Sequence, residues 1–159
     1  MFAGEIDLTR RDFAFGASLI GFLLATGVAP KPAGAQAADW NKVAFDGKSL
    51  PDVLKALGGA TVTENKEIEL TGPDIAENGA VVPVVVVSKL AGTQAMHILV
   101  EKNPNWLAAS FTIPAGTETS ISTRIKMQQS ANVIALVQAN DQWFIDRKEI
   151  KVTLGGCGG

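Results

Sequence analysis

Val81-Val82-Pro83-Val84-Val85-Val86-Val87-Ser88 and, after the Ala91-Gly92 break, Gln94-Ala95-Met96-His97-Ile98-Leu99-Val100-Glu101 decide the fold. Both runs are short, apolar and bounded by turn residues, and the first is built of β-branched side chains that suit a pleated surface. They read as strands. Working outward, the same pattern recurs at Glu67 to Leu70, Trp106 to Ile113, Thr119 to Met127, Val133 to Ala139, Gln142 to Ile145 and Glu149 to Leu154. The breaks between them carry turn chemistry: Gly72-Pro73-Asp74, Asn78-Gly79, Asn103-Pro104, Pro114-Ala115-Gly116 and Asn140-Asp141. Strands spaced by about ten residues with no helical period between them predict a mainly β fold, an immunoglobulin-like antiparallel β-sandwich over residues 60–154. The Cys-Trp-Cys signature of true immunoglobulin domains is missing, so the likeness is architectural.

The valine run is apolar on both faces, and such a strand has to be covered twice. Burial under an N-terminal helix is one solution and a second protein chain is another. Pro83 has no N–H for a ladder and suits an edge or the start of the pairing. His97 is the chain's only imidazole, but its neighbours Met96, Ile98, Leu99 and Val100 predict a sheet residue with one satisfied nitrogen rather than a catalytic base. Glu67 and Glu69 alternate with Ile68 and Leu70, which places both carboxylates on a solvent face rather than in an acid/base pair.

Ahead of the strands, residues 38–59 are expected to form an N-terminal helical segment. Ser49 is placed to cap, with Asp52 three residues on and Pro51 in the first turn. Leu50, Val53, Leu54 and Leu57 then share one face, and Gly58-Gly59 ends the run. Packing against the chain's own sheet is the expected fate of that face.

At the start of the chain, Thr9-Arg10-Arg11-Asp12-Phe13 precedes a weakly apolar segment and Pro30-Lys31-Pro32-Ala33-Gly34-Ala35-Gln36-Ala37. Residues 1–37 read as a cleaved twin-arginine export signal in which Arg10 and Arg11 carry the motif, with the mature chain beginning at Gln36 or Ala38. The apolar stretch falls short of the ~20 residues of a membrane-spanning helix, and no membrane association is expected after cleavage. That route exports folded proteins with a cofactor or partner. One His and one Cys cannot assemble a zinc or iron–sulfur site, and phosphate-loop and nucleophile-elbow motifs are missing, so neither a cofactor nor a metal is expected and a protein partner is. From Ala38 onward 11 Lys and Arg stand against 13 Asp and Glu, a net of −2, which gives no reason to expect nucleic acid.

The end of the chain is Gly155-Gly156-Cys157-Gly158-Gly159. Four glycines give the only cysteine no side chains to pack against, so a buried structural role is disfavoured and a flexible, exposed arm over 155–159 is expected. Prenylation requires the cysteine one position earlier. Small sulfur carriers of ubiquitin-like fold also end in Gly-Gly, but they are cytosolic and the export signal argues against them. A structural sandwich subunit that uses Cys157 for an intermolecular disulfide is the alternative reading.

The Thr9-Arg10-Arg11 signal, the helix Leu50-Pro51-Asp52-Val53-Leu54-Lys55-Ala56-Leu57-Gly58, the short strands and the terminal Val152-Thr153-Leu154-Gly155-Gly156-Cys157-Gly158-Gly159 together resemble the SoxY family, carrier subunits of the periplasmic thiosulfate-oxidising Sox system. The resemblance implies a carrier and not an enzyme, located in the periplasm, with Cys157 as the covalent attachment point and Gly155, Gly156, Gly158 and Gly159 giving the arm flexibility and access. It implies a heterodimer with a SoxZ-like β-sandwich subunit. It also implies a c-type cytochrome, a metal-dependent sulfate-releasing hydrolase and, where present, a sulfur dehydrogenase as partners, with haem and metal centres on those partners alone.

Overall fold

The computed structural model describes residues 40–154. The expected signal (1–37) and arm (155–159) lie outside them, as do Arg10, Arg11, Cys157 and the four terminal glycines.

Among the described residues two short helices precede the strands, α1 (Lys42–Phe45) and α2 (Leu50–Ala56). Asn41 caps α1 by accepting the Ala44 N–H at 3.1 Å. Ser49 caps α2 as expected, accepting the Asp52 N–H at 3.3 Å while its hydroxyl donates to the Asp52 carboxylate at 2.7 Å. The helical segment is thus interrupted: a proline at the second position of α2 bars the preceding residues from joining α1 in one helix. Gly58 closes α2 in the left-handed region, with φ +87°.

Nine strands follow: β1 (Thr63–Glu64), β2 (Ile68–Thr71), β3 (Ile75–Asn78), β4 (Val82–Ser88), β5 (Thr93–Val100), β6 (Leu107–Thr112), β7 (Ser120–Ile125), β8 (Ala131–Ala139) and β9 (Gln142–Leu154). One sheet has the order β1-β9-β8-β5-β6 with β3 also paired to β9, and a three-stranded sheet has the order β2-β4-β7. The fold is mainly β and sandwich-like, as the strand spacing predicts. Val82, Val84 and Val86 of β4 face Met96, Ile98 and Val100 of β5 and Val133, Ala135 and Val137 of β8 across the core between the sheets. A second core lies on the far side of the larger sheet, where Leu99, Ile134, Leu136 and Trp143 meet Ala44, Val53 and Leu54 of the helices.

Three expectations are corrected. Of the two covers expected for the valine run, the N-terminal helix is the one overturned: the helices pack on β5 and β8, whose other side the small sheet covers, whereas within this chain β4 buries one face. On its outer face Val85 and Val87 are half-buried and Pro83 is exposed. β4 is also central rather than at an edge, while Pro83, its second residue, does sit at the start of the pairing: β2 joins only from Val85 to Ser88, so Pro83 stands beside β7 alone. A missing N–H is cheap there. Finally, Gln142–Leu154 is one strand, not two, and β1 and β3, which no sequence period announces, pair with it in parallel.

The charges at Asp146, Arg147 and Lys148 do not break β9 because each finds a partner on neighbouring strands or turns. Asp146 accepts the Leu70 N–H at 2.9 Å, Arg147 lies 4.0 Å from Glu64, and Lys148 donates to Asp74 at 2.7 Å. That last contact holds the Asp74 carboxyl below its ordinary range, first by the hydrogen bond and then by the charge of Lys148. Asn140 and Asp141, at φ 49° and 60°, make the two-residue turn that joins β8 to β9.

Candidate functional site: the end of the last strand

The described chain ends on β9, so the geometry of its last turns of backbone decides how the cysteine segment leaves the fold. β8 accompanies β9 only as far as the pair Ala131 and Ile150. Beyond it, Lys151–Leu154 would have one unpaired edge on each side were it not for two substitutes. On one side β3 pairs in parallel, with Ile75 opposite Lys151, Ala76 opposite Val152 and Asn78 opposite Leu154. The Lys151 N–H donates to the Asp74 carbonyl at 3.0 Å, and the Gly79 N–H donates to the Leu154 carbonyl at 2.8 Å. On the other side the Ser130 hydroxyl accepts the Val152 N–H at 2.8 Å and donates to the Val152 carbonyl at 3.5 Å. The Thr153 hydroxyl donates to the Glu77 carbonyl at 3.0 Å.

β9 is therefore held to its last described residue. The tip surfaces there: Leu154 is 69% exposed, with Val81 at 52% and Ile75 at 59% among the few large apolar side chains left in contact with solvent. Gly79 also ties this corner inward, its carbonyl accepting the N–H of the fully buried Met127 at 2.7 Å.

Cys157 lies three positions past Leu154 in sequence and, with Gly155, Gly156, Gly158 and Gly159, outside the described residues. Arg10 and Arg11 lie outside them too. What sequence reasoning missed is the anchorage: β3, Gly79 and Ser130. Gly72-Pro73-Asp74 and Asn78-Gly79 bracket three residues that read as loop, too few to show a period, and Ser130 acts through a hydroxyl that no pattern flags.

His97 behaves as its neighbours predict. It is 4% exposed, its Nδ1 lies 2.9 Å from the Ser110 hydroxyl, its Nε2 is buried without a partner, and its ring stacks on Trp143 with centroids 5.7 Å apart. Burial lowers its pKa to about 4, so the ring is neutral near pH 7. A sealed imidazole offers no proton to a substrate. A surface cavity of about 430 Å³ runs beside Trp143, from Gly58 to Thr63 and from Asp141 to Phe144, and Asp141 is the one titratable side chain lining it. Among the described residues no group of three or more His, Cys, Asp or Glu side chains could hold a metal ion.

Residues 54–157 match the family described as "Sulfur oxidation protein SoxY", and the match ends on Cys157. No curated protein matches the chain. Among solved structures, the sulfur carrier protein SoxY from Chlorobium limicola f thiosulfatophilum is 32% identical, with a TM-score of 0.61, over 71% of this chain and 99% of that one. A family match over most of the chain and a solved relative with the same sandwich agree, and this chain belongs to the SoxY family of sulfur oxidation proteins.

Proposed function

We propose that this chain is a periplasmic sulfur carrier, not an enzyme, and that Cys157 holds the sulfur intermediates of thiosulfate oxidation. The observation that carries this reading is that the family match runs to Cys157, the chain's only cysteine, in a chain similar to a solved sulfur carrier protein. The twin-arginine segment supports export, and the carriage chemistry supports the glycines, since a backbone without side chains fits narrow enzyme pockets.

The loading step balances as follows. The Cys157 thiol and thiosulfate join through a new sulfur–sulfur bond, giving a cysteine S-thiosulfonate and releasing one proton and two electrons to a c-type cytochrome partner. Water then cleaves the terminal sulfonate as sulfate on a metal-dependent hydrolase, leaving a persulfide; where a sulfur dehydrogenase is present, three waters convert its outer sulfur to a sulfonate, and the six protons and six electrons released go to solvent and to a c-type cytochrome respectively. An unperturbed thiol titrates at about 8.5, and the Gly-Gly-Cys-Gly-Gly sequence has no cation to lower it, so the partners must generate the thiolate. The carrier contributes the sulfur atom and its delivery.

A second small β-sandwich subunit, SoxZ-like, completes the carrier in this reading. The family assignment supports Sox partners, and the outer face of the small sheet, with Pro83, Val85 and Val87 left partly open, supports a need for a neighbour.

Cys157→Ala tests the proposal. The variant keeps the wild-type thermal unfolding midpoint and loses all thiosulfate-dependent electron release to the cytochrome partner. Turnover by the variant would show that sulfur is not carried on this atom.

A further inference from the structure

The chain spends several polar groups on four residues that bury little. Lys151, Thr153 and Leu154 are exposed, and half-buried Val152, packed against the main core, is the one apolar anchor among the four, so packing alone does not account for the pairing of the other three. The β8 ladder has already ended at Ile150. Yet the segment is bonded from both sides, and on the Ser130 side the ladder's work is done by one hydroxyl that serves both the N–H and the carbonyl of Val152. On the other side Thr153 reaches the Glu77 carbonyl and Gly79 reaches the Leu154 carbonyl. Hydrogen bonds at a strand end, here one exposed at Thr153 and two part-buried at Ser130, are among the first to open in a folded protein.

We propose that Ser130, Thr153 and the β3–Gly79 corner form a clamp that fixes the point where the cysteine segment leaves the fold, making Ser130 and Thr153 positioning residues for the loading of Cys157. The inference rests on the carrier reading above. Its physical content is reach and direction. With the clamp closed, the thiol is three residues from a fixed point; with Lys151–Leu154 released, it is seven residues from the end of the β8 ladder, and the added chain can extend by roughly 13 Å at about 3.3 Å per residue. A longer tether spreads the thiol over a larger volume and lowers its effective concentration at a docked partner's pocket. Loading then suffers in KM, because fewer encounters place the sulfur at the pocket, while kcat at saturation stays unchanged because the thiol itself is not altered.

The test uses the full mature chain with the SoxZ-like subunit of the proposed function, thiosulfate and a c-type cytochrome partner. The variants are Ser130→Ala, Thr153→Val and the double, with Thr153→Ser as the variant that retains the hydroxyl. Amide exchange at Val152 and Gly79 is expected to rise by about tenfold in the broken variants. KM for the carrier is expected to rise severalfold at constant kcat, alkylation of Cys157 by a small reagent to stay at the wild-type rate, and Thr153→Ser to behave as wild type. Unchanged exchange would overturn the clamp, because the hydroxyls would then hold nothing. Faster exchange with unchanged KM would overturn its role in delivery. No adduct on wild-type Cys157 would instead overturn the carrier reading, and with it the positioning role, so the two failures are distinguishable.

Discussion

His97 and Gly59 show how single positions set the stability of the second core. A neutral imidazole locked between Ser110 and Trp143 binds no proton in the folded state until the pH nears 4, whereas an unfolded one binds at about 6.5. Between those values the unfolded state holds the extra proton. Stability is therefore fully present above about pH 6.5 and falls as the pH drops toward 4, by at most about 3 kcal/mol from this group. Urea unfolding of wild type and His97→Gln across that window checks it: the difference between the two should shrink or reverse on acidification, and parallel profiles would contradict it. At Gly59, a Cβ would sit 2.5 Å from Leu54 Cδ1 and 2.7 Å from Trp143 Nε1, and both side chains are buried. Gly59→Ala should therefore destabilise by about 1–3 kcal/mol through overpacking, read as a lower thermal midpoint.

At the scale of elements, the strands were legible and their neighbours were not. Alternation and turn residues placed β2 and β4 to β8 to within a few residues, and Ser49, Pro51 and Gly58 marked both ends of α2, because those signals are local. Which strand is covered on both faces is a property of its place in the sheet. The valine run of β4 is more uniformly apolar than β5, which carries His97, yet β5 and β8 lie between two cores and β4 does not. β1 and β3 escaped notice because parallel pairing with β9 depends on that strand continuing through Asp146, Arg147 and Lys148, which in turn depends on Leu70, Glu64 and Asp74 across the fold. Cys157 was legible in sequence for the opposite reason: its glycine neighbours carry no packing information, so only chemistry was left to read. That reading makes a prediction for the terminal segment. Replacing Gly156 and Gly158 by Val adds branched side chains beside the sulfur and narrows the backbone to β-like conformations. Alkylation by a small reagent should stay within a few-fold of wild type, while partner-catalysed loading falls by orders of magnitude, since each 1.4 kcal/mol of clash costs about tenfold. Equal loading rates would mean that the partners meet Cys157 at an open surface.

For the molecule as a whole, the described residues leave apolar positions open at three places: the outer face of β4, the corner where β9 ends, and Trp40 and Val43 at the first helix. Expressed without a partner, the mature chain should self-associate or aggregate, which light scattering will show; a well-behaved monomer would remove the argument for a constitutive subunit. Everything else follows from the sulfur. Intact mass spectrometry of the protein taken from the periplasm of thiosulfate-grown cells, before and after a reductant and followed by mapping of the C-terminal peptide, tests that claim most directly. The account predicts a sulfur-containing adduct on Cys157 that the reductant removes, and no adduct elsewhere in the chain. A Cys157 found only as free thiol or as a disulfide between two chains would contradict it.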